Sequence, residues 1–299
     1  MTGGGAPPVL RAAGRALELR APLLMGIVNT SPDSFSDGPG QAPPARRGGA
    51  LVAAGAAIVD VGGESGITNR PPVAAQEEIA RVVPVIEALT GPAGPGVPVS
   101  VDTYKPEVAA AAVAAGASIV NDVSGLLHPA LADVCAATGA ALVITHTRTA
   151  PKTKRLEPGF YGAGVAADVA AFLEQRMALA VSRGVAEDHI MLDPGPDFAK
   201  TPAQTVAALQ GLDRVLALGR PVLLALSRKD FIGAITGRGP RERLAGTLAA
   251  LAWGVEAGGH VFRLHDVAEA ADFLAVRAVL RGDASLDPGA MLDEGLRRV

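Results

Sequence analysis

Short apolar runs rich in β-forming residues alternate with Ala-rich helical stretches along almost the whole chain, and this alternation limits the possible folds. The eight candidate strands lie at 23–29, 57–63, 97–103, 118–124, 141–147, 190–195, 221–227 and 260–266. The candidate helices lie at 45–55, 76–90, 106–115, 129–138, 165–183, 202–218, 241–257 and 267–281. Apolar strands that each precede a crossover helix are typical of a parallel sheet covered on both faces. Eight such units predict an α/β protein with a TIM (β/α)8 barrel, and a doubly wound open sheet is the alternative.

The candidate units follow one another without a linker or a break in composition. We therefore expect a single barrel domain over residues 21–282, an N-terminal extension over 1–20 and a C-terminal tail over 283–299. Several helices are followed directly by glycine, at Gly116, Gly139, Gly184 and Gly219. Glycine adopts the left-handed conformation of a helix C-cap at the lowest cost, so these positions are predicted helix ends.

Charge and composition exclude several classes of partner. The 299 residues carry a formal net charge of −3 and only 3% aromatic residues, which argues against nucleic acid. The most apolar stretch, Val108 to Val120, is shorter than the roughly 20 residues of a membrane helix, so we expect no membrane partner. The first twenty residues do not resemble a secretory signal, and the single Cys135 fits a reducing compartment, so the expected location is the cytoplasm.

Polar residues stand at the carboxyl ends of six of the eight candidate strands, where a buried apolar strand would not otherwise place them. They are Asn29, Asp102, Asn121 with Asp122, His146, Asp193, and Arg263 with His265; Ser227, Arg228 and Lys229 follow the seventh strand. Each alone is more simply explained as a turn former, a helix cap or a hydrogen-bonded core residue. In a barrel, however, the carboxyl ends of all strands form one rim, so together these residues predict a polar pocket.

The predicted rim has two chemical sides. Asp102, Asp193 and the amide of Asn121 can hydrogen-bond a flat heterocycle that carries N–H donors. Arg263 and His265 precede a predicted helix N-terminus, and this combination suits a phosphate or diphosphate.

A metal ligand is also present at the rim. Asn29 offers a neutral oxygen of the kind that Mg²⁺ accepts when phosphates and water complete its shell. No histidine and thiolate cluster in the sequence suggests zinc.

Seven segments together resemble the dihydropteroate synthase family, in the order in which that family has them. They are MGIVNTSPDSFSDG at 25–38, IVDVGGES at 58–65, VSVDT at 99–103, IVNDVSG at 119–125, MLDPGPDFAK at 191–200, LSRKDFIG at 226–233 and FRLHD at 262–266. The resemblance covers roughly residues 23 to 282, and the first segment is its most specific part. The family fold is also a TIM barrel, as the strand count suggests.

The resemblance implies a transferase of folate biosynthesis. Such an enzyme condenses 6-hydroxymethyl-7,8-dihydropterin diphosphate with p-aminobenzoate, releases diphosphate, requires Mg²⁺ and is usually a homodimer. The implied pterin-binding residues are Asp102, Asn121, Val123, Asp193, Phe198 and Lys229. The implied diphosphate-binding residues are Arg263 and His265, the metal ligand is Asn29, and the catalytic residues are Asp102, Lys229 and Arg263. The loops 30–40 and 64–72 would close over the site, with Ser65, Thr68 and Arg70 on the p-aminobenzoate side.

The second loop departs from the family pattern. Glu64 is followed by Ser-Gly-Ile-Thr-Asn-Arg-Pro-Pro, where the family has Ser-Thr-Arg-Pro. One alternative is therefore a divergent copy of the family that binds a pterin without normal synthase activity. A second is a barrel lyase that uses Lys229 as a Schiff-base nucleophile. A third is a methyl-folate-binding partner of a corrinoid enzyme, a class that the segment DSFSDG at 33–38 fits poorly.

Overall fold

The architecture was determined from a computed structural model that describes residues 8–31, 42–65, 71–153, 159–161 and 164–297. Its first element is an antiparallel hairpin of β1 (Val9–Ala12) and β2 (Arg15–Glu18). Eight further strands follow: β3 (Leu23–Asn29), β4 (Ile58–Gly62), β5 (Val99–Asp102), β6 (Ile119–Asp122), β7 (Ala141–Thr145), β8 (Ile190–Asp193), β9 (Leu223–Leu224) and β10 (Val261–Leu264). All eight predicted strands are confirmed, with ends that differ by a few residues.

The eight strands form one parallel sheet in the order β8-β7-β6-β5-β4-β3-β10-β9. A parallel bridge between Leu192 on β8 and Val222, next to β9, joins the two edges. The sheet is therefore a barrel, and the alternative of an open doubly wound sheet is wrong. Since each strand is parallel to its neighbours, all carboxyl ends lie on the same rim.

Helices cover the outside of the barrel. They are α1 (Pro44–Ala53), α2 (Ala75–Thr90), α3 (Pro106–Ala114), α4 (Ala130–Thr138), α5 (Val165–Ser182), α6 (Pro202–Gln210), α7 (Leu212–Leu216), α8 (Asp230–Thr236), α9 (Leu244–Glu256) and α10 (Val267–Arg281). The predicted helix 202–218 is divided at Gly211, and α8 was not predicted because seven residues are too few to show a helical period. The glycines predicted at helix ends all have positive φ, between +71° at Gly139 and +110° at Gly116. No helix within the described ranges is long and apolar enough to cross a bilayer.

Side chains along each barrel strand alternate between two environments. Residues such as Val59, Val61 and Val101 point outward into the core shared with the helices. The intervening residues point into the barrel, and their lower layer is apolar except for the buried Ser100 on β5. Its apolar members are Met25, Ile58, Ile119, Val143, Met191, Leu223 and Val261. Because the period of a strand is two, the next inward position lies one layer closer to the carboxyl-end rim.

The β1–β2 hairpin covers the amino-terminal end of the barrel. Leu10 and Ala12 are fully buried and pack in the same cluster as the lower apolar layer. The backbone N–H of Ala13 donates to the carbonyl of Gly139, 2.6 Å away. The sequence analysis did not predict this hairpin. It seals the end opposite the rim, so a ligand enters the barrel from the carboxyl side.

Candidate active site

The upper inward layer of the barrel is polar where the lower one is apolar. Its members come from neighbouring strands: Asn29 on β3, Asp60 on β4, Asp102 on β5, Asn121 on β6, Thr145 on β7, Asp193 on β8 and Arg263 on β10. All of them stand at or near the carboxyl ends of their strands, so the fold brings the predicted residues to one rim.

Arg263 lies between two carboxylates. Its Nε donates to Oδ2 of Asp60 over 2.6 Å, and its Nη2 donates to Oδ2 of Asp102 over 2.7 Å. Asn121 Nδ2 also donates to Asp60 Oδ2, over 3.3 Å. These bonds fix the guanidinium in the barrel mouth, since two of its five donors are held by strands β4 and β5.

Two buried oxygens in this cluster have no hydrogen-bond partner. Asp60 Oδ1 and Asn121 Oδ1 accept nothing from the described part of the chain, although Asp60 is fully buried and Asn121 is 2% exposed. A buried acceptor without a donor costs free energy, so such atoms are characteristic of a site that a ligand completes. Burial also raises the pKa of Asp102, and Arg263 opposes this shift. The mouth therefore presents several hydrogen-bond acceptors to a ligand.

Asp193 lies on the far side of the mouth from Asp60. Its Oδ1 accepts from the backbone N–H of Gly195 over 2.8 Å, and the residue is 3% exposed. Burial raises the pKa of Asp193 to about 6, and Gly195, Lys229 and Lys200 moderate the shift. Lys229 Nζ lies 4.8 Å from the centroid of the Phe198 ring, so Asp193, Phe198 and Lys229 form one wall of the site.

A cavity of about 400 Å³ lies between α1 and the first turn of α10, and Arg263, which was predicted to share an anion site with His265, does not line it. His265 and Arg228 line it, and Arg228 pairs with Asp266 over 3.0 Å between Nε and Oδ2. Ser227 Oγ accepts from the backbone N–H of His265 and lies 2.9 Å from its Nδ1. Ser227 Oγ thus anchors both the backbone and the ring of His265, and the hydrogen bond between Oγ and Nδ1 fixes the orientation of the imidazole. Burial, with Arg263 and Arg228 nearby, lowers the pKa of His265 to about 4.

Asn29 is placed by α1, because Arg47 Nη2 donates to its backbone carbonyl over 2.5 Å. Asn29 Oδ1 and Asp102 Oδ2 both lie within 4 Å of the point where a Cβ on Gly62 would stand. Two oxygen donors therefore flank a glycine whose lack of a side chain keeps the space between them open. The described residues include no group of three or more His, Cys, Asp and Glu side chains that could hold a metal ion. This set fits a hard cation that takes most of its ligands from a substrate and water.

The base of the second loop is held by a cluster of charges. Lys105 Nζ pairs with Glu64 Oε2 over 2.5 Å and also with Glu78. Lys152 pairs with Glu64 Oε1 over 3.1 Å and donates to the carbonyl of Ser65. The basic segment 148–155 thus contacts this loop through Lys152. Ser65 is the last described residue there, and Thr68 and Arg70 lie outside the described residues, as do 32–41 of the first loop.

Other polar residues at the strand ends form hydrogen bonds within the protein instead of facing the barrel mouth. Both carboxylate oxygens of Asp122 accept hydrogen bonds from the following turn, from Ser124 and Leu126, as expected for a turn former. The side chain of His146 is fully buried and contacts Lys200 and Asp168. Val123, one of the predicted pterin-binding residues, is half-buried directly after β6.

The sequence analysis missed three residues that the structure places at or beside the rim. Asp60 interrupts the apolar run of β4, and a carboxylate inside a fully buried strand was the available signal. Lys105 and Lys200 stand in loops, where a lysine is ordinarily solvated. Nothing in the local sequence shows that Lys200 is only 2% exposed.

The fold and the rim define a TIM-barrel protein with buried hydrogen-bond acceptors on one side of its mouth and the basic residues Arg228 and His265 on the other. Residues 25–265 match the family described as pterin binding enzyme. The chain is 41% identical over 276 residues to the dihydropteroate synthase of Bacillus subtilis, which covers 90% of each chain. It therefore belongs to the dihydropteroate synthase family of pterin-binding enzymes.

Two further similarities bear on activity. The Xanthomonas albilineans dihydropteroate synthase, solved with 4-aminobenzoic acid, superposes with a TM-score of 0.83 at 40% identity and covers 92% of this chain and 98% of that chain. A Mycobacterium leprae protein named inactive dihydropteroate synthase 2 is 40% identical over 91% of this chain and 93% of its own length. Identity alone thus does not separate active members from inactive ones.

Proposed function

We propose that this chain is an active dihydropteroate synthase. It joins the exocyclic methylene carbon of 6-hydroxymethyl-7,8-dihydropterin diphosphate to the nitrogen of p-aminobenzoate. A C–N bond forms, the C–O bond to diphosphate breaks, and the aniline nitrogen loses a proton. The products are 7,8-dihydropteroate and diphosphate.

The unpartnered acceptors in the barrel mouth carry this proposal. Asp60 Oδ1 and Asn121 Oδ1 lie buried beside Asp102, and Asp193 provides a further carboxylate on the opposite wall. A pterin ring presents several N–H donors in one plane, and these match a mouth lined by acceptors. Phe198 and Lys229 supply a wall against which such a ring packs.

Catalysis follows from where the charges lie. Loss of diphosphate leaves positive charge on the pterin, and Asp102 is the carboxylate positioned to stabilise it. Arg263 in the barrel mouth and His265, which lines the cavity beside the N-terminus of α10, stabilise the negative charge on the leaving diphosphate. The aniline nitrogen is neutral near pH 7, so no strong base is required, and placing the two reactants together supplies much of the rate.

Mg²⁺ fits the same arrangement. Asn29 Oδ1, with Asp102 Oδ2 across Gly62, would hold the ion with help from diphosphate oxygens and water. When bound, the ion neutralises charge on the diphosphate and makes it a better leaving group.

We also propose that the chain is a homodimer through α9 and α10. Val276 and Leu280 on α10 are 60% and 82% exposed, and they border a groove of about 280 Å³ that Ala252 and Phe273 also line. Apolar side chains grouped in this way favour a protein interface. A second copy of the chain would bury them.

The competing function is pterin binding without condensation. The similarity to the inactive mycobacterial protein and the altered sequence at 65–72 favour it. In that case the pterin side, built from Asp60, Asn121 and Asp193, would work while the p-aminobenzoate side would not.

The experiment combines purified protein with pterin diphosphate, Mg²⁺ and p-aminobenzoate, and follows diphosphate release together with dihydropteroate by chromatography. We expect both products in equal amounts and only when p-aminobenzoate is present. Tight pterin binding with no amine incorporated would instead establish the binding-only function. A borohydride-trapped adduct on Lys229 would support the lyase alternative.

A further inference from the structure

Lys200 is buried behind the pterin wall, and the proposed mechanism does not use it. It is 2% exposed and is among the largest fully buried side chains of the described chain. Its Nζ lies 2.8 Å from the carbonyl oxygen of Gly195, 3.2 Å from that of Phe198 and 2.7 Å from Nδ1 of His146. With the carbonyl oxygen of His146 at 3.5 Å, these groups provide an acceptor for every proton that the Lys200 Nζ carries.

His146 connects Lys200 to an ion pair nearer the surface. Its Nε2 lies 3.1 Å from Oδ1 of Asp168 on α5, and Asp168 also accepts from Nε of Arg148 over 2.9 Å. A carboxylate paired with arginine is ionised, so Nε2 must carry the imidazole proton. Burial lowers the pKa of His146 to about 4, so the ring is neutral at pH 7 and its Nδ1 is an acceptor. The proton between Nδ1 and Nζ therefore belongs to Lys200, although burial lowers the pKa of this lysine to about 7.

The loop that Lys200 holds is unusual in its backbone. Gly195, Asp197 and Ala199 all have positive φ, and a Cβ on Gly195 would stand 2.1 Å from the carbonyl oxygen of His146. A non-glycine residue with positive φ costs free energy, and this conformation persists only where the surrounding structure imposes it. The bonds of Lys200 to Gly195 and Phe198 span the strained segment and close it into a ring.

The same loop supplies two parts of the pterin wall. The N–H of Gly195 donates to Oδ1 of Asp193 over 2.8 Å, which orients that carboxylate. The ring of Phe198 lies 4.8 Å from Lys229 Nζ. Lys200 thus binds the carbonyl oxygens of Gly195 and Phe198. The N–H of Gly195 and the ring of Phe198 contact the other residues of the pterin wall.

We propose that Lys200, oriented by His146 and Asp168, is a positioning residue that aligns Asp193 and Phe198 for the pterin ring. This inference rests on the proposed function of the site. It assigns Lys200 to the pterin side, since the described contacts of Lys200 include neither the lining of the cavity beside α10 nor residues 64–65 at the start of the second loop.

The test compares Lys200→Met, which keeps the length of the side chain and removes its donors, with the unaltered protein. We expect the Kd for pterin diphosphate, measured by calorimetry, to rise about tenfold or more, while KM for p-aminobenzoate stays within about twofold. Asp168→Asn should give a smaller change in the same direction, because it weakens only the support of His146. Val169→Ala, a core change at the neighbouring residue of α5, is the control that lowers the melting temperature without changing the pterin Kd.

Nitrogen-15 NMR of the unaltered protein gives a readout that does not depend on any variant folding. We expect His146 to show a protonated Nε2 and an acceptor Nδ1, and a proton on Nδ1 would overturn the inference. An unchanged pterin Kd in a folded Lys200→Met protein would overturn it as well. Failure of the unaltered protein to incorporate p-aminobenzoate would refute the proposed synthase instead, and leave the pterin-binding comparison valid.

Discussion

Single residues at the rim act through the polar atoms that the strand period turns inward. Asp60 and Asn121 share one hydrogen bond and keep one oxygen each for a ligand. In Asp193, Oδ1 accepts from the backbone N–H of Gly195, and Oδ2 is left to accept from a ligand. The recognition of a ring at this rim therefore depends on individual oxygen atoms, and single-atom substitutions are the appropriate test.

Replacement of Asp193 by asparagine exchanges one acceptor oxygen for a donor. We expect pterin binding to weaken by about 1–3 kcal/mol, or about 5- to 150-fold in Kd, because a donor then faces the N–H groups of the ring. Calorimetry with the pterin measures this change. Exposed Asp213→Asn serves as the control, and an affinity that stays the same in Asp193→Asn would remove Asp193 from the pterin site.

The same carboxylate predicts a pH dependence. Burial raises the pKa of Asp193 to about 6, so the ionised form that accepts from the ring prevails only above that pH. We expect the affinity of the unaltered protein for pterin to fall as the pH drops through about 6. In Asp193→Asn the part of this dependence centred near pH 6 should be lost, while Asp102, whose pKa burial raises to about 7, keeps its own titration. A transition that persists near pH 6 would assign it to a group other than Asp193.

At the scale of elements, loops that follow different strands are tied together by buried ion pairs. Glu64 follows β4, Lys105 follows β5 and Lys152 follows β7, and the three meet within one cluster. Glu78 on α2 is 1% exposed and completes it through Lys105. Such a cluster fixes the described start of the second loop, because breaking a buried pair leaves a charge without compensation.

Because of Glu64, the free energy of unfolding should fall at low pH. Burial raises the pKa of Glu64, but the bonds from Lys105 and Lys152 outweigh this and leave it below its ordinary value of 4.5. A carboxylate with a lowered folded pKa stabilises at neutral pH, and that contribution is lost as the pH falls through the folded pKa. We expect Glu64→Gln to lower the free energy of unfolding by about 1–3 kcal/mol at pH 7.

Urea denaturation at several pH values measures this contribution. The difference between the two proteins should shrink as the pH falls from about 4.5 through the lower folded pKa, because the unfolded state takes up the proton first. Below the folded pKa the carboxyl group is protonated in both states of the unaltered protein. Glu87→Gln, at an exposed position of α2, is the matched control and should change little at any pH. A difference that is constant with pH would show that packing, not charge, explains the effect.

The whole molecule is a barrel with one end sealed and one apolar flank exposed. The hairpin of β1 and β2 covers the end opposite the rim, and α9 with α10 carries the exposed side chains Val276 and Leu280. The proposed homodimer would cover this face, because a two-fold axis brings the same surface of both copies together.

A charge at this flank tests the proposed dimer. We expect Leu280→Glu, at a position 82% exposed, to leave the fold intact and to convert the dimer to monomers by burying an unpaired carboxylate. Sedimentation velocity measures the change. Leu286→Glu, 67% exposed in the C-terminal segment beyond α10, provides the comparison, and a monomeric unaltered protein would refute the dimer.

The local sequence pattern determined the strands and helices of the chain and the polar residues at the carboxyl ends of the strands. Apolar runs of period two and helices ending at glycine are local features, so the eight strands, their helices and polar residues such as Asn121 and Asp193 could be predicted directly. The resemblance to a known family added the pterin and the diphosphate. Both kinds of signal are carried by neighbouring residues, which is why they survive in a sequence without coordinates.

Tertiary structure alone decided which of these residues touch. The pairing of Arg263 with Asp60 joins positions 203 residues apart, and Lys200 finds its acceptors in one loop and at the end of strand β7. The β1–β2 hairpin likewise became a stable element only because the open end of a barrel offered Leu10 a core. Long-range contacts of this kind leave no periodic trace in the chain, because their free energy comes from burial and charge pairing that exist only once the barrel has closed.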